Sequence, residues 1–286
     1  MENGKCKMKG RSSGTAAKKA AAKLSAMDRV KLARDAKRPH IWDFINAFCS
    51  DFEELHGDRL VSDDRGLVAG FGTVGDYRAL ILGHHKGATV EENMEANFGM
   101  VNPDGYRKAM RLAKLAERFH NPIVTFVDTP GAYPGKEAEE RGQAEAIAKS
   151  LEFFAGLRTP IVVVVTGEGG SGGALAIAVG DRILMMENAV YSVISPEGCA
   201  GILWRDGKMA PAAAEALKIT ADDLKRLGAI DEIVPEPAGG AQKNPKAALA
   251  SVKKAVLSAL KALAGVPADE LVEQRYAKLR AYGNFY

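Results

Sequence analysis

The pattern of apolar and polar positions along this chain changes near residue 39 and again at the glycine pair 239–240. Between those points short apolar runs alternate with longer stretches of helical spacing. Ile41, Phe44, Ile45, Phe48, Phe52 and Leu55 predict a helix over 41–55, ended by His56-Gly57. Runs at 67–74 and 78–82 flank Gly75-Asp76 and predict a pair of strands. Asn102 before Pro103 predicts a helix start, with Ala109, Leu112, Ala113, Ala116 and Phe119 inward and Arg107, Lys108, Arg111, Lys114 and Glu117 outward. The runs 123–127 and 161–165 predict buried strands on either side of a polar helix over 137–154. Strands at 182–186 and 190–194, a loop at 195–199 and helices at 210–217 and 221–227 follow. The pattern therefore predicts an α/β core over 39–238, and helices at 245–264 and 269–282 that form a packing or oligomerising tail over 239–286. It does not give the strand order, and the spacing is too irregular for short repeats.

Composition narrows the class. A chain of 286 residues that is 47% hydrophobic can bury a full core. A net charge of +3 gives no argument for nucleic acid or a membrane surface, and no apolar run reaches spanning length. Cys6, Cys49 and Cys199 are widely spaced without a CxxC pair, which predicts free thiols in a reducing cytoplasm and no zinc site. Residues 1–38 carry Lys5, Lys7, Lys9, Arg11, Lys18, Lys19 and Lys23 among Ser, Gly and Ala. They read as a basic arm, flexible or partner-docking, or as a targeting segment that would place the protein in an organelle stroma.

The candidate chemistry sits where the apolar run 161–165 ends. Five glycines (Gly167, Gly169, Gly170, Gly172 and Gly173) surround Glu168 and Ser171 just before a small-residue helix start. Three chemistries overlap there. Gly167, Gly169 and Gly172 fall at dinucleotide-fingerprint spacing, with Glu187 where a ribose-binding acid belongs. Against it, Glu168 puts a negative charge where a pyrophosphate would lie, and the following helix is short for a crossover. Gly169, Ser171 and Gly173 match a nucleophile elbow, but all five histidines (His40, His56, His84, His85 and His120) precede the serine. The third reading is a backbone oxyanion hole in which Gly172, Gly173 and Ala174 present N–H groups at a helix start. Tight helix–strand packing is the competing explanation for the glycines; on the oxyanion reading, Gly173→Val leaves the fold intact and abolishes activity.

The segments 128–135, 138–143, 167–178 and 191–199 closely resemble the carboxyltransferase α subunits of multi-subunit acetyl-CoA carboxylases, with 83–87, 97–100, 105–108 and 233–237 extending the likeness. The resemblance implies a crotonase-like fold, a spiral of ββα units, and carboxyl transfer from carboxybiotin to acetyl-CoA, giving malonyl-CoA for fatty acid synthesis. Biotin would be carried covalently by a separate biotin carboxyl carrier protein loaded by biotin carboxylase, and a β subunit would complete the site, in an α2β2 assembly. Gly172, Gly173 and Ala174 would be the biotin-side oxyanion hole, and Gly131, Ala132 and Tyr133 its second wall. Lys86, Arg141 and Glu197 would shape the pocket, unless they serve as surface or helix-end charges. His84-His85 reads as a strand-end pair, and no metal is expected in this chain. Ala88 stands where the family commonly has an arginine, and the segment before Pro39 is shorter and more basic than the family's usual leader. Another biotin-dependent acyl-CoA carboxylase or decarboxylase subunit is the near alternative. An enoyl-CoA hydratase is the distant one, with Glu168 and Glu187 as its only obvious acid–base pair.

Overall fold

The structure, a computed structural model, describes residues 24–283. The chain begins with α1 (Ala26–Ala33), α2 (Ile41–Phe48), the two-residue strand β1 (Glu53–Glu54) and the hairpin β2 (Leu67–Val74) and β3 (Tyr77–His84). The short α3 (Val90–Glu95) and long α4 (Pro103–Arg118) lead to β4 (Ile123–Thr129). Helices α5 (Lys136–Glu140) and α6 (Gln143–Gly156) lead to β5 (Ile161–Gly170), which runs straight into α7 (Ser171–Leu175). Then come β6 (Arg182–Met186), β7 (Val190–Ser192), α8 (Pro196–Trp204), α9 (Ala210–Leu217), α10 (Ala221–Arg226) and β8 (Glu232–Val234). Helices α11 (Pro245–Leu263) and α12 (Ala268–Ala281) close the described chain.

These strands form one sheet in the order β1-β2-β3-β4-β5-β6-β8, with β7 paired to the end of β5. The first three strands pair antiparallel, and from β3 onward every pairing is parallel. Strands β4 and β5 lie centrally, which is why their sequences run apolar without alternation: both faces are covered by helices. Full burial of valines such as Val163 and Val164 contributes about 1.5–3 kcal/mol each. Past Val165, β5 leaves β6 and pairs through Glu168–Gly170 with β7, while the β4–β5 register shifts between Val127 and Thr129. The sheet thus splays at the carboxyl ends of its central strands, where parallel α/β sheets commonly hold their sites.

Several expectations change. The helix expected over 41–55 stops at Phe48, and the chain extends so that Glu53 and Glu54 pair with Phe71 and Gly70. Gly70 and Gly72 permit this: a side chain on Gly70 would stand 2.6 Å from the Phe52 ring, and one on Gly72 2.9 Å from Cys49 Sγ. The helix expected over 137–154 divides at Gly142, whose φ of 82° favours glycine. On α4, Lys108 is fully buried instead of outward, its ammonium donating to Asp63 Oδ1 at 2.6 Å and the Asp64 carbonyl at 2.8 Å. Phe119, expected inward, lies just past the helix end and is 62% exposed. Asn102 makes no side-chain cap; its side-chain carbonyl instead accepts from Arg141.

The expected arm over 1–38 differs over its described part, whereas residues 1–23 lie outside the described residues. Helix α1 carries a Ser25–Asp28 capping box and buries Val30 and Ala33 against Val190 and Ile219. Arg38, buried behind it, donates to the Thr166 carbonyl at 2.6 Å and pairs with the buried Glu236. The basic pattern hid this because Arg29, Arg34 and Arg38 point inward to carboxylates and carbonyls. At the other end, α11 and α12 share the central core through Val252, Val256, Leu260, Leu263 and Leu271. Buried Arg275 fixes α12 by pairing with Asp181 and donating to the carbonyls of Phe154, Leu157 and Thr159.

Candidate functional site

The glycine turn is the junction of β5 and α7, and what a side chain would meet differs at each of its glycines. One on Gly167 would stand 2.6 Å from the Asp128 carboxyl carbon, and one on Gly169 2.6 Å from the Tyr191 ring. On Gly170 it would lie 2.8 Å from the Gly131 nitrogen, and on Gly173 2.9 Å from the Gly131 oxygen. Close packing therefore accounts for these four. Gly172 differs: its nearest neighbours would be Ile147 methyls at 3.4 and 3.5 Å, an ordinary contact. It is half-buried, whereas Gly173 and Ala174 are buried.

This geometry corrects one expectation and sharpens another. Valine at Gly173 would be driven into the backbone of the Gly131–Ala132 loop, so Gly173→Val cannot leave the turn intact. With Gly170 as N-cap, the helix leaves the N–H groups of Ser171, Gly172 and Gly173 without helical partners. Ala174, four residues beyond the cap, is the first that a helical bond can satisfy. Ser171 opens α7 with φ of 49°, an uncommon value for a non-glycine residue.

Gly131 and Ala132 lie against Gly170 and Gly173 of the turn, and Tyr133 follows them in the same loop. Their loop is held by Thr129, whose hydroxyl donates to the Gly131 carbonyl and accepts from the Gly131 N–H. Tyr133 N–H donates to the Val101 carbonyl, and the Gln143 amide donates to both the Val101 and Tyr133 carbonyls. Gln143 is buried at the first position of α6, directly after the break at Gly142.

Beside the turn a chain of charges crosses the splayed strand ends. Lys86 Nζ lies 2.7 Å from Asp128 Oδ1 and 3.3 Å from Glu168 Oε2. Arg34, capping the C-terminal end of α1, lies 2.7 Å from Glu168 and 2.8 Å from Glu197, so Lys86 is linked to Glu197 through Glu168 and Arg34. Burial alone would depress the Lys86 ammonium, but Asp128 and Glu168 overcome it and hold it above its ordinary value. Burial likewise opposes ionisation of Asp128, yet Lys86 and His40 hold its carboxyl well below the carboxylate range. The Arg34 hydrogen bond lowers Glu197. Glu168 is thus a compensated charge walling a cleft of about 260 Å³ with Arg34, Lys86, His40 and Asp128. On the far side of the turn an apolar groove of about 270 Å³ runs from Ser171 and Leu175 past Tyr191 and Val193 to Leu279 and Tyr282.

Arg141 does not join this arrangement. It pairs with Asp104 at 3.2 Å and donates to Asn102, on the side of α4 where Arg107 binds Asp58 and Asp104. Glu187 accepts from the Glu236 N–H and lines a separate cleft beside α1, apart from the cleft that Glu168 walls, whereas hydratase chemistry would need the two together. Among the described residues no group of His, Cys, Asp and Glu is placed to hold a metal ion.

The sequence profile described as "Acetyl co-enzyme A carboxylase carboxyltransferase-like" matches residues 4–283. The chain belongs to this family. Acetyl-coenzyme A carboxylase carboxyl transferase subunit alpha of Geobacter sulfurreducens is 56% identical over 92% of this chain and 82% of its own length. A subunit of the same name from Thermus thermophilus is 55% identical over 92% and 83%. Among solved structures, the transcarboxylase 12S core superposes with a TM-score of 0.65 at 21% identity, over 80% of this chain and 42% of that one. A Pseudomonas malonate decarboxylase hetero-tetramer gives 0.64 at 19%, over 83% and 95%. The carboxyltransferase fold is therefore crotonase-like, in agreement with the ββα pattern of the hairpin, crossover helix and parallel strand.

In this acetyl-CoA carboxylase carboxyltransferase-like chain, sequence reasoning overlooked Arg34, Asp128, Gln143 and His84 as parts of the site's surroundings. Arg34 was concealed in a basic segment, and Asp128 and Gln143 lay inside motifs without a sign of which side chain faced the turn. The shared strand-end position of His84 and His85 did not distinguish the buried ring from its half-buried neighbour.

Proposed function

We propose that this chain is the biotin-facing half of an acetyl-CoA carboxylase carboxyltransferase, and that the Ser171–Gly173 backbone is its oxyanion site. The observation that carries the reading is Gly172: four neighbouring glycines are required by packing, while this one is left open at a helix start whose first N–H groups have no helical partner. Preorganised backbone donors stabilise an oxyanion without a protein nucleophile. Absence of a side chain at Gly172 lets a ligand approach that backbone closely.

The residues present fit a biotin ring: N–H donors at the turn adjoin an apolar groove that begins at Ser171 and Leu175. Carboxybiotin, delivered by its carrier protein, supplies the carboxyl group and a ureido oxygen that gains negative charge on transfer. The chain's own contribution is to meet that charge with the Gly172 and Gly173 N–H groups and to hold the Gly131–Tyr133 loop as the facing wall. Arg34, Lys86 and Glu197 keep the adjoining cleft rigid and nearly charge-balanced, whereas Arg141 acts in supporting α4. Ala174 serves as packing.

A β-type partner carrying the acetyl-CoA side completes this reading, in an α2β2 enzyme served by biotin carboxylase in the cytoplasm. The relatives named as subunits alpha support it, as does an exposed apolar face. Exposed Leu175 and Val193 flank the turn, and exposed Ile202, Leu203 and Trp204 extend from α8. Ala174, Ala176 and Ala178 beside the turn are buried and do not contribute to this face.

The test is the reverse reaction, malonyl-CoA with biocytin, catalysed by the complex carrying Gly172→Val. Loss of about 10²-fold in kcat with an unchanged melting temperature supports the assignment. A folded variant with full kcat overturns it.

A further inference from the structure

Glycines are the least suitable residues for holding donors still, because nothing but the backbone fixes them. An oxyanion site nevertheless depends on donors that are fixed before reaction. Gly172 has only the Ile147 methyls at contact distance on its open side, so the brace must act from elsewhere.

The hydrogen bonding of α7 shows where. Ala176 N–H donates to the Gly172 carbonyl four residues back, but Ile177 N–H donates to Ala174 at 3.3 Å and Ala178 N–H to Leu175 at 3.0 Å, each three residues back. The helix tightens as it ends, and the Gly173 carbonyl, which Ile177 would otherwise occupy, is left over. His84, the last residue of β3, reaches it: Nε2 lies 3.2 Å from the Gly173 oxygen. A carbonyl only accepts, so the proton sits on Nε2 and His84 donates. Its buried Nδ1 makes no well-formed hydrogen bond among the described residues, with the Phe126 backbone of β4 nearby. The ring itself is 1% exposed. An imidazole with one buried nitrogen lacking a well-formed bond is costly to retain as a packing group alone.

We propose that His84 is a positioning residue, whose Nε2–H holds the Gly173 carbonyl and thereby fixes the oxyanion-binding peptides of the Gly172–Gly173 turn. The inference rests on the oxyanion reading of that turn and adds the residue that orders it. His84 touches no substrate. It sets the plane of the Gly173–Ala174 peptide from the buried side, and with it the direction of the preceding N–H groups.

The length of the side chain provides the test. In the assembled carboxyltransferase, His84→Gln places an amide N–H near the Nε2 position, whereas His84→Asn stops about one bond short. With malonyl-CoA and biocytin, His84→Asn is expected to lower kcat at least tenfold with KM for malonyl-CoA unchanged, and His84→Gln to restore most of it. Equal kcat in the two variants, or a loss confined to KM, overturns the proposal. Imidazole ¹⁵N spectroscopy of the unmodified protein is the second measurement: a neutral ring protonated on Nε2 supports it, and protonation on Nδ1 overturns it whatever the variants' stability. Gly172→Val assayed in parallel separates the two claims. If Gly172→Val is inactive while His84→Asn is fully active, only the His84 proposal fails; if Gly172→Val also retains full activity, the oxyanion reading fails.

Discussion

Gly173 faces the backbone of Ala132 with no room for a methyl group between them, and the Gly131 oxygen would stand 2.9 Å from a side chain there. The turn and the loop that walls it are thus one packed unit, joined through glycine. Gly173→Ala should cost about 1–3 kcal/mol by overpacking. Gly172→Ala, meeting Ile147 at ordinary distance, should stay within about 0.5 kcal/mol. Urea denaturation of both variants checks this, and equal losses would contradict it.

The described N-terminal segment should behave as core. Arg38 and Glu236 are a buried pair, and Arg38 also satisfies the Thr166 carbonyl on β5. Removing the guanidinium leaves a buried carboxylate partly uncompensated, so Arg38→Ala should destabilise by about 3–5 kcal/mol. Arg34 is one-third exposed, with side-chain exposure of 35%, and Arg34→Ala should cost less than about 1 kcal/mol. Thermal or urea unfolding that ranks these two in the opposite order would refute the assignment.

Acid should weaken the fold in two stages. Burial brings His84 down to about 4 from its ordinary 6.5, so between those values the unfolded chain binds a proton that the folded one does not. Stability then falls on acidification by up to about 1.4 kcal/mol per pH unit from this one group. Asp128 acts lower: its depressed carboxyl contributes stability fully above the ordinary value of 3.8, and that contribution is lost as pH falls toward the folded value. Denaturation midpoints measured from pH 7 to 4 should fall less steeply in His84→Gln. An unchanged slope would mean that His84 titrates normally in the folded protein.

Much of this was legible in the sequence. Unbroken apolar runs marked β4 and β5 as buried strands, and the glycines marked the turn on which the proposed oxyanion site rests. The sequence could not divide those glycines into four that admit neighbouring atoms and one left open, because that depends on Asp128, Tyr191 and the Gly131–Ala132 loop arriving from distant strands. Nor could composition separate a basic arm from a helix whose arginines meet carboxylates more than a hundred residues away. Gly142 ended one expected helix through its positive φ, and Gly70 and Gly72 ended another by admitting β1, signals legible only once the partner was known.

The central claim is that this chain holds only the biotin-facing half of a carboxyltransferase site. The most direct measurement is the rate of carboxyl transfer from malonyl-CoA to biocytin by the purified chain, alone and with its β-type partner added in increasing amount. The account predicts no transfer above background alone and a rate that rises to saturation at equal proportions of the two. Full transfer by the isolated chain would contradict it.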